Sequence, residues 1–60
     1  MIPGCVEAIS SLALSPEELA IFRAEMERQG RNWELALVCA FDSGVPCFSL
    51  LMEWARGSSL

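Results

Sequence analysis

The chain contains no lysine, no histidine and no tyrosine. Its cations are four arginines, Arg23, Arg28, Arg31 and Arg56, set against eight acidic residues for a formal net charge of −4. Nonspecific binding to nucleic acid or to anionic membranes draws most of its affinity from neutralising phosphates, so this balance argues against both. The missing histidine removes the usual general base for a cysteine nucleophile and a common zinc ligand. Cys5, Cys39 and Cys47 are odd in number and nowhere spaced C-x-x-C, which leaves no disulfide framework and no finger-like metal pattern. Gly4, Gly30, Gly44 and Gly57 stand alone, so no glycine-rich loop is available to cradle a phosphate. Glu17, Glu18, Glu25 and Glu27 crowd one stretch, which reads as a solvated helix surface. No catalytic residue, cofactor site or metal site is expected, and the chain reads as a non-enzyme.

No basic segment introduces a signal-like apolar run. The cysteines read as small buried hydrophobes of a reducing compartment, which points to the cytoplasm. The main exception is a bridge between Cys39 and Cys47, which flank the DSGVP break symmetrically.

Apolar surface, by contrast, is plentiful: 53% of the residues are hydrophobic. Between Leu35 and Met52 the sole charged side chain is Asp42, with Trp33 and Trp54 on the two flanks. A membrane-spanning helix needs about 20 consecutive apolar residues, and Asp42, Ser43, Gly44 and Pro46 interrupt this run. Residues 1–60 suffice for one small domain. At that size hydrophobic burial and the cost of ordering the chain nearly cancel. A second copy that hides part of the run is the natural resolution, so a homodimer is expected.

The periodicity predicts helices. Cys5, Val6, Ile9, Leu12 and Ala13 share one face of a short helix that starts near Pro3. Ser15-Pro16-Glu17-Glu18 carries a capping serine, a proline suited to the first helical position and a glutamate placed to close a capping box. That helix is expected to run to about Gln29 and stop at Gly30, with Leu19, Phe22 and Met26 inward and Ile21 and Ala24 outward. Asn32 is a plausible cap for a helix from Trp33 to about Asp42, in which Ala36 and Ala40 form a small-residue face. The same stretch also alternates as a strand, and Asp42-Ser43-Gly44 suits a hairpin loop. From Pro46 to Arg56 the polar residues Ser49, Glu53 and Arg56 fall on one helical stripe, which a strand would scatter across both faces. Gly57 closes that helix, and Ser58-Ser59-Leu60 reads as a frayed tail.

The fold class is therefore all-α: three or four short helices ending in a C-terminal antiparallel helical hairpin. An α+β fold with a hairpin at about 33–51 is the alternative. The functional reading is a small acidic protein–protein interaction module, a homodimeric regulator, inhibitor or adaptor that also binds a protein target. Tryptophan, phenylalanine, methionine and arginine are enriched at interface centres, so the expected contact residues are Trp33, Phe48, Met52 and Trp54, rimmed by Arg23, Arg28 and Arg31. A membrane-associated small protein is the first alternative. A helix-turn-helix-like regulator is the second, although the stretch ALVCAF offers no side chain able to read a base edge.

Overall fold

The local end signals and the helices agree closely. A computed structural model of the chain describes residues 1–57 and contains four helices: α1 (Cys5–Leu12), α2 (Pro16–Arg28), α3 (Trp33–Asp42) and α4 (Phe48–Ala55). The expected frayed tail, residues 58–60, lies outside the described residues. Ser15 and Glu18 form the reciprocal capping box: the Glu18 N–H donates to Ser15 Oγ at 3.1 Å and the Ser15 N–H to Glu18 Oε1 at 2.9 Å. Two of the donors that every helix start leaves without a partner are satisfied in this way. At α3, Asn32 Oδ1 accepts from the N–H groups of Glu34 at 2.9 Å and Leu35 at 3.2 Å.

One turn geometry recurs at three helix ends. After α2, Gly30 adopts φ +73°, and the N–H groups of Gly30 and Arg31 reach back to the carbonyls of Glu27 and Met26. After α3, Gly44 at φ +88° and Val45 bond in the same way to Phe41 and Ala40. These are Schellman closures, which satisfy the last carbonyls and reverse the chain within two residues. After α1 the same bonds run from Ala13 to Ser10 and from Leu14 to Ile9. There an alanine, not a glycine, holds the left-handed conformation, at φ 53° and ψ 43°. The alternative hairpin at 33–51 is therefore absent. Asp42-Ser43-Gly44 closes a helix instead of turning a strand.

Helix α3 touches each of the other three helices, and α2 and α4 also touch each other. The buried core consists of Cys5, Ala8 and Leu12 from α1, Phe22 and Met26 from α2, Ala36, Leu37 and Ala40 from α3, and Leu51, Met52 and Ala55 from α4. Most extensive is the α1–α3 contact. Cys5 and Ala8 on one side, with Ala36 and Ala40 on the other, are small enough to let the two helices approach closely. The α1 face is thus rotated from the expected one. Ala8 is buried, whereas Val6 is 65% exposed and Ala13 lies outside. Two further details differ. Helix α4 begins at Phe48 rather than at Pro46, because Cys47 takes an extended backbone as its N-cap and leaves Val45 and Pro46 as the link after the Schellman closure. Helix α4 also packs more extensively on α2 than on its hairpin neighbour α3.

The apolar run from Leu35 to Met52 is largely absorbed within the chain. Ala36, Leu37, Ala40, Leu51 and Met52 are all core, while Leu35 and Leu50 remain 56% and 44% exposed. The accessible surface is 3749 Å², against the roughly 3,900 Å² that surface scaling gives for a folded chain of this mass. A single copy therefore hides as much surface as a folded monomer of its size normally does.

Candidate interaction surface

The Schellman closure at Gly30 sets Arg31 and Trp33 beside the end of α2, and the packing of α4 on α2 brings Trp54 to the same end of the bundle. The guanidinium of Arg23 lies over the Trp33 ring, 5.1 Å from its centroid. That of Arg31 lies over the Trp54 ring at 5.4 Å. Both distances fall within the range of a cation–π attraction, worth about 0.5–1 kcal/mol at an exposed site.

Gln29 fastens this end together. Its amide nitrogen donates to the Ala55 carbonyl at 2.8 Å and to Glu25 Oε2 at 2.7 Å, and its amide oxygen accepts from Arg31 Nη1 at 3.3 Å. The α2 terminus is thereby tied to the last turn of α4. Arg28 also donates to Glu25 Oε2. Hydrogen bonds from Gln29 first and Arg28 second hold the Glu25 carboxyl below its ordinary pKa, with the Arg56 charge adding to the effect. Arg28 in the last turn of α2 and Arg56 at the C-cap of α4 also sit where a cation complements the negative end of a helix dipole. All four cations of the chain consequently belong to one region: α2 from Arg23 onward, the α2–α3 link and the end of α4.

The expected contact residues divide. Arg23, Arg31, Trp33 and Trp54 are brought together in pairs, and Arg28 lies beside them in its pair with Glu25. Met52 is core at 4% exposure and presents almost no surface. Phe48 is half-buried against the core at the opposite end of α4, about 9 Å along the axis from Trp54 at 1.5 Å per residue. Gln29 and Arg56 were not singled out by the sequence. Nothing local marks Gln29, because its partner Ala55 is distant in sequence, whereas Arg56 was legible only as part of a polar stripe.

The cysteines also divide. Cys5 is buried, and burial first, then the Glu34 charge, pushes its thiol pKa up. Cys39 and Cys47 are exposed and free. The helical α3 turns Cys39 outward, and Cys47 occupies the N-cap position of α4. Cys47 Sγ lies 3.5 Å from Ser49 Oγ. That hydroxyl, followed by the backbone N–H of Leu50, holds its thiol pKa down. No group of histidine, cysteine, aspartate or glutamate able to hold a metal occurs among the described residues, and no helix among them is long and apolar enough to cross a membrane.

Comparison with protein-family models, with curated proteins and with solved structures returns no match to this chain.

Proposed function

We propose that the chain is a small protein-binding module, a regulator, inhibitor or adaptor, whose contact surface is the arginine–tryptophan end of the bundle. Arg23, Arg31, Trp33 and Trp54 form its centre, and Arg28 and Arg56 its rim. One observation carries this reading: each of the two tryptophans is overlain by an arginine, in a chain with only four basic residues. Both residue types dominate binding energy at protein interfaces. A large aromatic ring held at the surface beneath a cation is an anchor of that kind.

A protein partner suits the surface better than DNA. The exposed positions of α3, the second helix of the helix-turn-helix outline, are Leu35, Cys39 and Asp42, and none of them donates to a base edge. All of these residues belong to one chain, so the surface is complete in a single copy. The working unit proposed is a single chain.

The test is affinity capture from native cell extract with the wild-type chain and with an Arg23→Gln, Arg31→Gln double variant of unchanged helical circular dichroism. A protein retained by the first and lost by the second is the expected result. Capture profiles indifferent to the double substitution would sink the reading.

A further inference from the structure

Building on that surface, we infer that it takes an acidic peptide segment, one carrying at least two aspartates or glutamates beside an apolar side chain. The inference rests on the proposed function and specifies the chemistry of the partner.

The cations at this end are largely uncommitted. Arg23 makes no ion pair and no hydrogen bond among the described residues, although Glu27 follows one turn later on the same helix. Arg31 spends a single N–H on Gln29. Arg28 is matched by Glu25, on which the charge of Arg56 also acts. Of the acids nearby, Glu25 is therefore already occupied, by Arg28 and Gln29 together. A guanidinium carries five N–H donors in a fork that fits a carboxylate. Held over an indole, it is already positioned, so less side-chain freedom is lost when the carboxylate arrives. The flanking indole surface of Trp33 and Trp54, both half-buried, supplies the apolar contact.

Charge balance selects the occupant. A second copy would bring its own net charge of −4, and like-charged molecules repel on approach. Of the acids that open α2, Glu18 is already committed to the Ser15 N–H. An extended polyanion, whether nucleic acid or an anionic membrane, meets the field of the whole acidic molecule. A short acidic peptide meets only the arginine end.

Both intrinsic fluorophores that report on binding lie in this surface, because the chain has two tryptophans and no tyrosine. The experiment titrates the intact chain with a capped tetrapeptide of two glutamates around two central leucines, and with the same peptide carrying glutamine for glutamate. Phosphatidylserine vesicles and a single-stranded oligonucleotide serve as the other probes. The expected result is a saturable change in tryptophan emission with the glutamate peptide at a Kd below about 1 mM, weakening as salt is raised. Arg23→Gln with Arg31→Gln should weaken it at least about tenfold, the scale of losing two charge-assisted hydrogen bonds. Arg23→Lys with Arg31→Lys, which keeps the charge and loses the fork, should fall between.

Equal response to the glutamine peptide overturns the acidic assignment while leaving the contact surface standing. Preference for vesicles or oligonucleotide over the glutamate peptide overturns it in favour of a polyanion. Self-association by sedimentation that the double variant abolishes assigns the surface to a second copy and likewise overturns it. No response to the glutamate peptide at several times ~1 mM also overturns it, and the capture comparison then decides separately whether the surface binds protein at all.

Discussion

The Arg31 guanidinium reaches across from the α2–α3 link to cover the Trp54 ring at 5.4 Å, so a loop residue and the last turn of α4 share one contact. Arg31→Gln should lower stability by about 0.5–1 kcal/mol, the value of an exposed cation–π contact. Trp54→Ala removes a half-buried ring as well and should cost more, about 2 kcal/mol, below the range for a fully buried ring. Urea midpoints for both variants, followed by helical circular dichroism, check the ordering. No loss in Arg31→Gln would mean that the cation adds nothing to the packing of the ring.

Ala13 holds a left-handed backbone with φ 53°, at a cost of roughly 1–2 kcal/mol for a residue with a β-carbon. Ala13→Gly relieves that strain and adds freedom to the unfolded chain, which offsets part of the gain. The net expectation is a stabilisation of about 0.5–1 kcal/mol. Gly30→Ala, made at the equivalent position after α2, should destabilise by a similar amount. A denaturation pair that moves both midpoints in the same direction would contradict the shared turn geometry.

These turns also show what a reader of the sequence could and could not extract. Ser15, Pro16 and Glu18 act through bonds spanning three residues, and α2 starts where they place it. Asn32 and Gly30 are local signals of the same kind. The choice between helix and strand for Trp33–Asp42 was open because Glu34, Leu35, Ala36 and Leu37 are good helix formers, whereas Trp33, Leu35, Leu37, Cys39 and Phe41 alternate as in a strand. Two chemical end signals, the Asn32 cap and the Gly44 closure, are what tip it. The inward face of α1 was misread because counting hydrophobic residues favours Val6 over Ala8, whereas close packing on α3 requires a small side chain. The candidate surface was half legible. Its residue types were conspicuous, but which arginine covers which tryptophan depends on packing between helices far apart in sequence. Met52 and Phe48 were placed there by residue type, and α4 instead buries Met52 in the core and packs Phe48 against it.

Glu25 contributes to acid sensitivity. Its folded pKa is lowered by Gln29 and Arg28, so its stabilisation is in force above the unfolded carboxyl value and is lost as pH falls through the folded value. Glu25→Gln should reduce stability near neutral pH and flatten the decline in acid, between about pH 5 and pH 2. Urea midpoints measured across that range test it. Parallel curves for variant and wild type would exclude the carboxylate as a source of the decline.

Cys47 is expected to be the most readily alkylated thiol when its rate is compared with an unstructured peptide thiol of the same local sequence. Its lowered pKa puts more of it in the thiolate form at a given pH. Removal of the Ser49 hydroxyl in Ser49→Ala should shift the pH–rate profile of Cys47 upward. Cys5, fully buried with a raised pKa, should react only when the chain opens. Mass spectrometry of iodoacetamide adducts over time resolves the three sites, and rapid labelling of Cys5 in the native state would overturn the assignment.

Because each chain reversal is completed by bonds to carbonyls only three to five residues back, the links between helices can form before any core contact exists. Loop closure over so few residues is fast, on the order of tens of nanoseconds, and early topology of this kind favours rapid folding. The later steps are α1 finding α3 and α2 finding α4, the two pairings that each skip over an entire intervening helix. The strained alanine at the end of α1 sits at the joint across which the first of these pairings folds back.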